Sequence, residues 1–309
     1  MYINLTTTTI MKKFLLMSAA LLIAVMAQAQ VKVSPKMKKG DVKVYVEKST
    51  VDMAGQGKLT IEGETEYRVT AETADGYEVS ITTTKVSGDA ADDNIMGRLM
   101  MLSSEVTKGQ TIVVATDKEG KPLAVKNLDE MKKNIGPAAE KLVDDLVARL
   151  PQITQMMPKE ALKSQLMDAI DETAVLRSLQ RSASVMALNG KTAALGAQDE
   201  YTNEQGMKMK RMYMVSGQSK ITTTATMDTN PETMKKLIIE QVEKMAPDQA
   251  EMIKQNIDAV MASGMVKIEG SEKGSYELAD DGWMKTVEVE TDINSMGQKV
   301  LTKTTITQK

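Results

Sequence analysis

The densest run of side chains able to hold a metal is Met207-Lys208-Met209-Lys210-Arg211-Met212-Tyr213-Met214. Thioethers bind soft Cu(I), and residues two apart share one face of a strand. Met207 with Met209, or Met212 with Met214, could therefore converge on an ion. The three cations in the same run oppose that, and methionine is also the flexible filler of a core short of aromatics. Asp89, Asp92, Asp93 and Asn94 form an oxygen-rich group, but the alternating D-x-[DN]-x-[DN]-G calcium loop and its distal Glu are missing. Acids at the positive end of a helix account for them. Glu62, Glu64 and Glu66 alternate onto one strand face, the spacing of a solvated face. Glycoside hydrolysis needs two carboxylates across a cleft, usually with aromatic sugar platforms, and the chain has one Trp and 3% aromatics.

The chain has no His and no Cys, which excludes disulfides, zinc and iron–sulfur ligation and every Ser–His or Cys–His nucleophile. Neither G-x-S-x-G, S-x-x-K nor a P-loop occurs. The expectation is a protein without cofactor, metal or catalytic residues, and not an enzyme.

Residues 1–29 read as a signal peptide. Lys12 and Lys13 precede an apolar run from Phe14 to Met26, and Ala27-Gln28-Ala29 is a cleavage site of the A-x-A kind. The run is shorter than the roughly 20 residues of a membrane span. Cleavage near Ala29 leaves Gln30 first, and Met11 is the natural start. The expected location is periplasmic or secreted, with residues 30–309 as a single mature domain and no membrane span in it. Losing two lysines takes the formal charge from −3 to −5. A mildly acidic surface of mixed sign argues against a nucleic-acid partner.

The elements follow from periodicity. Val42, Val44 and Val46 alternate with Lys43, Tyr45 and Glu47, predicting a strand with its valines inward. Leu59, Ile61, Thr65, Tyr67, Val69 and Ala71 make the inner face of a second strand, and Asp75-Gly76 turns into a third from Tyr77. A short helix is predicted over Asp92 to Leu102, and a hairpin over 111–125. Leu128, Met131, Ile135, Ala139, Leu142, Leu146 and Leu150 form a helical stripe. A second helical region carries Leu162, Leu166, Ile170, Leu176 and Leu179. Strands return from Met207 to Val215 and Lys220 to Asp228. Asn230 then caps a helix opened by Pro231, and Met234, Leu237, Ile238 and Met245 face inward, followed by Ile257 and Met261. Strands over 265–278, 283–293 and 300–307 close the chain. Trp283, at a strand start, is expected to anchor the sheet against a helix.

Strands and helices alternate in blocks, which predicts an α+β fold: a curved antiparallel sheet of roughly ten strands wrapping several amphipathic helices. Lys38-Lys39-Gly40-Asp41, Asp75-Gly76-Tyr77, Asp117-Lys118-Glu119-Gly120, Asn127-Leu128-Asp129-Glu130, Gly274-Ser275-Tyr276-Glu277-Leu278 and Asp281-Gly282-Trp283, with the Ala27-Gln28-Ala29-Gln30 signal end, resemble an exported Bacteroidota family of unknown function. The resemblance implies export and a shared fold and brings no catalytic residues. The block order is also similar to that of periplasmic lipoprotein carriers, whose curved sheet holds acyl chains against helices.

Methionine-lined surfaces repack around varied apolar ligands at low cost. The functional expectation is noncovalent binding of a hydrophobic small molecule or lipid, with Met234, Leu237, Ile238, Met245, Ile257 and Met261 as the ligand-binding face. The alternative is a structural or protein-interaction component of the cell envelope with no small ligand.

Overall fold

A computed structural model describes residues 30–309 apart from 55–56, 91–100, 102–103, 150–157, 169, 204–205, 246, 263–267 and 296–297. The expected signal segment and most of the expected helix over Asp92 to Leu102 lie outside the described residues. In chain order the strands are β1 (Gln30–Lys32), β2 (Val42–Met53), β3 (Gly57–Glu72), β4 (Gly76–Ala90), β5 (Thr111–Asp117) and β6 (Pro122–Val125). Helices α1 (Leu128–Arg149), α2 (Lys159–Asp168) and α3 (Glu172–Gln180) follow, then β7 (Thr192–Ala194), β8 (Gln198–Thr202), β9 (Lys208–Ser216) and β10 (Lys220–Met227). After α4 (Pro231–Met245) and α5 (Pro247–Ala262), β11 (Ile268–Leu278), β12 (Met284–Ser295) and β13 (Gln298–Gln308) complete the chain.

Eleven strands form one antiparallel sheet in the order β6-β5-β4-β3-β2-β13-β12-β11-β10-β9-β8, and β1 pairs with β7 in a separate ribbon. Laid flat, ten strand spacings would set the outer strands roughly 48 Å apart. Lys121, Pro122 and Leu123 at β6 nevertheless line the same cleft as Glu200, Tyr201 and Thr202 of β8. The sheet therefore curls until its two edges face each other across a seam. Antiparallel curvature is as expected, but the balance is not α+β. The fold is mainly β, because the hairpin strands run long: β3 spans 16 residues and β4 15.

One continuous core fills the curl. Tyr67, Val69, Val79, Ile81 and Val114 from one half of the sheet meet Ile221, Tyr276, Val287 and Ile306 from the other. Against them pack Met131, Ile135 and Ala139 of α1 and Val175 and Leu179 of α3. Asp171 caps α3, its carboxylate accepting from the Ala174 N–H at 2.7 Å.

Irregular chain also sits in this core. Ser182, Ser184, Val185, Met186, Ala187, Leu188 and Asn189 are all buried, although they belong to no helix or strand. A buried loop must satisfy its own backbone. Here the Ser184 hydroxyl donates to the Leu179 carbonyl at 2.7 Å and accepts from the Met186 N–H at 3.2 Å. Tyr276 donates its hydroxyl to the Ser182 carbonyl at 3.1 Å. Asn189 donates its side-chain amide to the Gly120 carbonyl at 2.9 Å. Gly120 turns with φ 76°, and a Cβ there would stand 2.8 Å from Met37 Cε. What the sheet wraps is thus partly loop. Helices α4 and α5 pack chiefly against each other. The Asn230 cap is present, accepting from the Glu232 N–H at 2.9 Å.

One strand face is reversed from expectation. In β2, Tyr45 is 2% exposed and Val42 39%. Its inward polar residues all find partners. The Tyr45 hydroxyl donates to the Met284 carbonyl at 2.8 Å, Lys43 pairs with Asp281, and Glu47 meets Arg181 at 3.2 Å. Once paired, these groups sit inside while β-branched valines serve the outer surface. Trp283 is buried, edge-on to Tyr67 at 6.4 Å, and Tyr67 in turn meets Tyr45 at 5.4 Å. The expected anchoring role is filled within the sheet itself.

Candidate functional site

The seam between β6 and β8 opens into a cleft of about 570 Å³. Its walls come from four places. The turn into β6 contributes Lys121, Pro122 and Leu123, α3 contributes Thr173, Leu176, Arg177 and Gln180, the buried loop contributes Met186, Ala187 and Asn189, and the β8–β9 edge contributes Tyr201 and Arg211. Helix α3 is fastened to the β6 side of the seam. Glu172 accepts from the Val125 N–H at 2.8 Å, and Gln180 donates to the Pro122 carbonyl at 3.1 Å. The exposed ladder of an edge strand is thereby blunted.

At the floor lies a buried charge cluster. The Arg211 side chain is 1% exposed. Its guanidinium forks onto Asp199, Nε to Oδ1 at 2.9 Å and a terminal nitrogen to Oδ2 at 2.8 Å. It also lies 4.6 Å from the Tyr201 ring centroid and 5.0 Å from that of Tyr213. Two aromatic faces and a bidentate carboxylate hold the planar cation in place. Tyr213 donates its hydroxyl to Asp199 at 2.9 Å, and Lys191 completes the set by pairing with the same carboxylate. Strand alternation builds the cluster: Asp199 and Tyr201 face inward on β8, Met209, Arg211 and Tyr213 on β9, and Asp199 sits opposite Arg211.

The charges respond to these surroundings. Burial works against ionisation of Asp199, but its bonds to Arg211 and Lys191 prevail and hold the carboxyl below its usual range. Burial, then the nearby Arg211, pulls Lys191 below the ordinary lysine range against the opposing pull of Asp199. Burial raises the Tyr201 and Tyr213 phenols, and pushes Tyr276 up to about 12.

Tyr201 also borders a smaller hollow of about 130 Å³, floored by Val289, Thr291 and Ile293 of β12 and Val300, Thr302 and Thr304 of β13. Glu272 lines it and accepts the Tyr201 hydroxyl at 2.7 Å.

Of the six residues expected to bind ligand, Met234 and Ile257 have described side chains. Met234 is buried among Met207, Met209, Ala225 and Met227 in a separate small cluster. Ile257 is buried on α5. The side chains of Leu237, Ile238, Met245 and Met261 lie outside the described residues. Neither Met234 nor Ile257 lines the seam cleft. The methionine-rich strand splits by face: Met209 is buried, whereas Met212 and Met214 are 40% and 41% exposed. Asp89 is exposed, and Asp92, Asp93 and Asn94 lie outside the described residues. Among the described residues no three acidic side chains are grouped to hold a metal, and no helix is long and apolar enough to cross a membrane. The Arg211 cluster went unanticipated because Arg211 reads in sequence as one cation beside Lys208 and Lys210. Its inward parity with Met209 was the available signal.

Comparison with protein-family models and with curated proteins gives no match. Among solved structures the chain is similar to lipovitellin, in work described as "Lipid-protein interactions in lipovitellin", with TM-score 0.38 and 8% identity. The similarity covers 88% of this chain and 25% of that one, so this chain spans about a quarter of the length of lipovitellin.

Proposed function

We propose that this chain is an exported protein that binds a lipid-like amphiphile noncovalently in the seam cleft. The observation that carries this is the cleft's two-sided lining. Pro122, Leu123, Leu176, Met186 and Ala187 offer apolar surface beside Lys121, Arg177, Lys191 and Arg211. Its volume falls within the roughly 300–1,000 Å³ of small-molecule sites. Ligand would enter between the facing sheet edges, with the Arg211 cluster as a fixed floor. Export rests on the residue pattern from Lys12 to Ala29.

The test is expression of the full chain in a bacterial host, recovery from the periplasm, and native mass spectrometry with organic extraction. A polypeptide mass beginning at Gln30, with an adduct that extracts as lipid, is the expected result. Leu176→Trp should remove the adduct while leaving the circular dichroism spectrum unchanged. An adduct-free mass, together with no displacement of a lipophilic dye by oleate, overturns the reading. A protein-interaction role in the envelope is favoured by one feature, the exposed Met212 and Met214 on the outer face of β9. It predicts partner capture that Met212→Thr with Met214→Thr abolishes.

A further inference from the structure

The seam cleft carries unequal charge. Four cations line it, Lys121, Arg177, Lys191 and Arg211, against Glu200 alone. Behind the lining, Asp199 is shared by Arg211 and Lys191. Two further acids nearby are already engaged, Glu119 by Lys32 and Glu172 by the Val125 N–H. Lys121 and Arg177 form no ion pair among the described residues. The Lys121 stem passes over Gly190, with Cβ 3.3 Å from where a side chain at that glycine would begin. Arg177 stands in the last turn of α3, beside Leu176. The helix dipole favours a cation there, but it leaves the guanidinium donors open to a ligand. The mutual proximity of Lys121, Lys191 and Arg211 is felt at Lys191, whose ammonium both other cations disfavour. A negative group placed among them relieves that repulsion.

We infer that the cleft selects an anionic head: its occupant is a carboxylate amphiphile, with the head at Lys121 and Arg177 and the apolar chain along Leu123, Leu176 and Met186. Arginine forks match carboxylate geometry, and charge-assisted hydrogen bonds are the strong ones. Arg211, committed to Asp199, contributes field and position, not a vacant fork. This inference rests on the proposed amphiphile binding.

The experiment separates the two. Displacement of the neutral dye Nile red from the full-length purified protein is measured with oleate, with oleyl alcohol of equal chain length, and with acetate. Oleate should bind at least tenfold more tightly than the alcohol, and acetate should not compete. Lys121→Gln with Arg177→Gln should weaken oleate about tenfold per cation removed and leave the alcohol unchanged. Lys121→Arg with Arg177→Lys keeps the charge and should keep most of the preference, which guards against a folding artefact. Equal affinity for oleate and alcohol overturns head selection while leaving amphiphile binding intact. Acetate competing as well as oleate overturns the placement of an apolar chain along Leu123, Leu176 and Met186. Displacement by none of the three overturns the amphiphile reading itself.

Discussion

The Arg211 guanidinium and the Asp199 carboxylate meet as a two-pronged pair, at 2.9 and 2.8 Å, between the rings of Tyr201 and Tyr213. The two partners are not equivalent. Asp199 keeps Lys191 and Tyr213 if Arg211 is lost, whereas Arg211, 1% exposed, would be left as an uncompensated buried charge if Asp199 were lost. Asp199→Ala should therefore cost about 3 kcal/mol or more, and Arg211→Met about 1 kcal/mol. Urea unfolding with an unchanged slope reads both. Equal losses would mean that the pair does not set the energetics of this edge.

Gly274 leaves room for the Tyr276 ring. A Cβ there would stand 2.6 Å from Thr223 Oγ1, 2.7 Å from Tyr276 Cε2 and 2.9 Å from its hydroxyl oxygen. Tyr276 is fully buried and holds the Ser182 carbonyl of the core loop. Gly274→Ala should thus destabilise by about 1–3 kcal/mol through overpacking and loosen the loop. At Gly63, by contrast, a Cβ meets only the Lys85 carbonyl at 3.7 Å. Gly63→Ala should be neutral or slightly stabilising, since glycine weakens a strand interior by about 0.5–1 kcal/mol. Thermal melts compare the two, and hydrogen exchange at 182–189 reports the loop.

Much of this architecture was legible from periodicity. The stripe from Leu128 became α1, and Pro231 and Asn230 marked the start of α4, because amphipathic helices and caps are local features. The inner face of β3 was readable for the same reason, its apolar residues falling on alternate positions. The burial of 182–189 was not readable: Ser182, Ser184 and Asn189 have the composition of a surface loop, and their partners are Leu179, Gly120 and Tyr276, up to 94 residues away. The seam is likewise a product of sheet closure, which brings Lys121 and Tyr201 to one cleft. No local pattern encodes that approach, whereas the helical stripes of α4 and α5, which carry the expected ligand face, are local and readable.

Glu64 makes a separate point about acid pH. Bonds from Lys309, then Lys85 and Thr84, lower its carboxyl from 4.5 to about 2. A carboxyl depressed on folding stabilises the native state above its unfolded value, and that contribution is lost as pH falls through the folded one. Stability should therefore decline between about pH 4.5 and 2. Lys309→Ala should return the Glu64 midpoint part of the way toward 4.5, read by carbon-detected NMR titration. A wild-type midpoint near 4.5 would show that the three donors do not hold the carboxylate in solution.

The reversed face of β2 yields the sharpest contrast between neighbours. Alternation alone makes Val44 a core residue and Tyr45 a surface one, but Tyr45 is 2% exposed, edge-on to Tyr67, with its hydroxyl on the Met284 carbonyl. Val44 is half-buried on the other face, opposite Glu66 of β3. Tyr45→Ala removes a ring from the core and leaves a cavity, at about 3–5 kcal/mol. Tyr45→Phe keeps the ring and strands the carbonyl, at about 1 kcal/mol. Val44→Thr keeps the β-branched shape on the outer face and should stay within about 0.5 kcal/mol of wild type. Urea midpoints for the three variants order them, and a Val44→Thr loss as large as that of Tyr45→Ala would restore the valine-inward register.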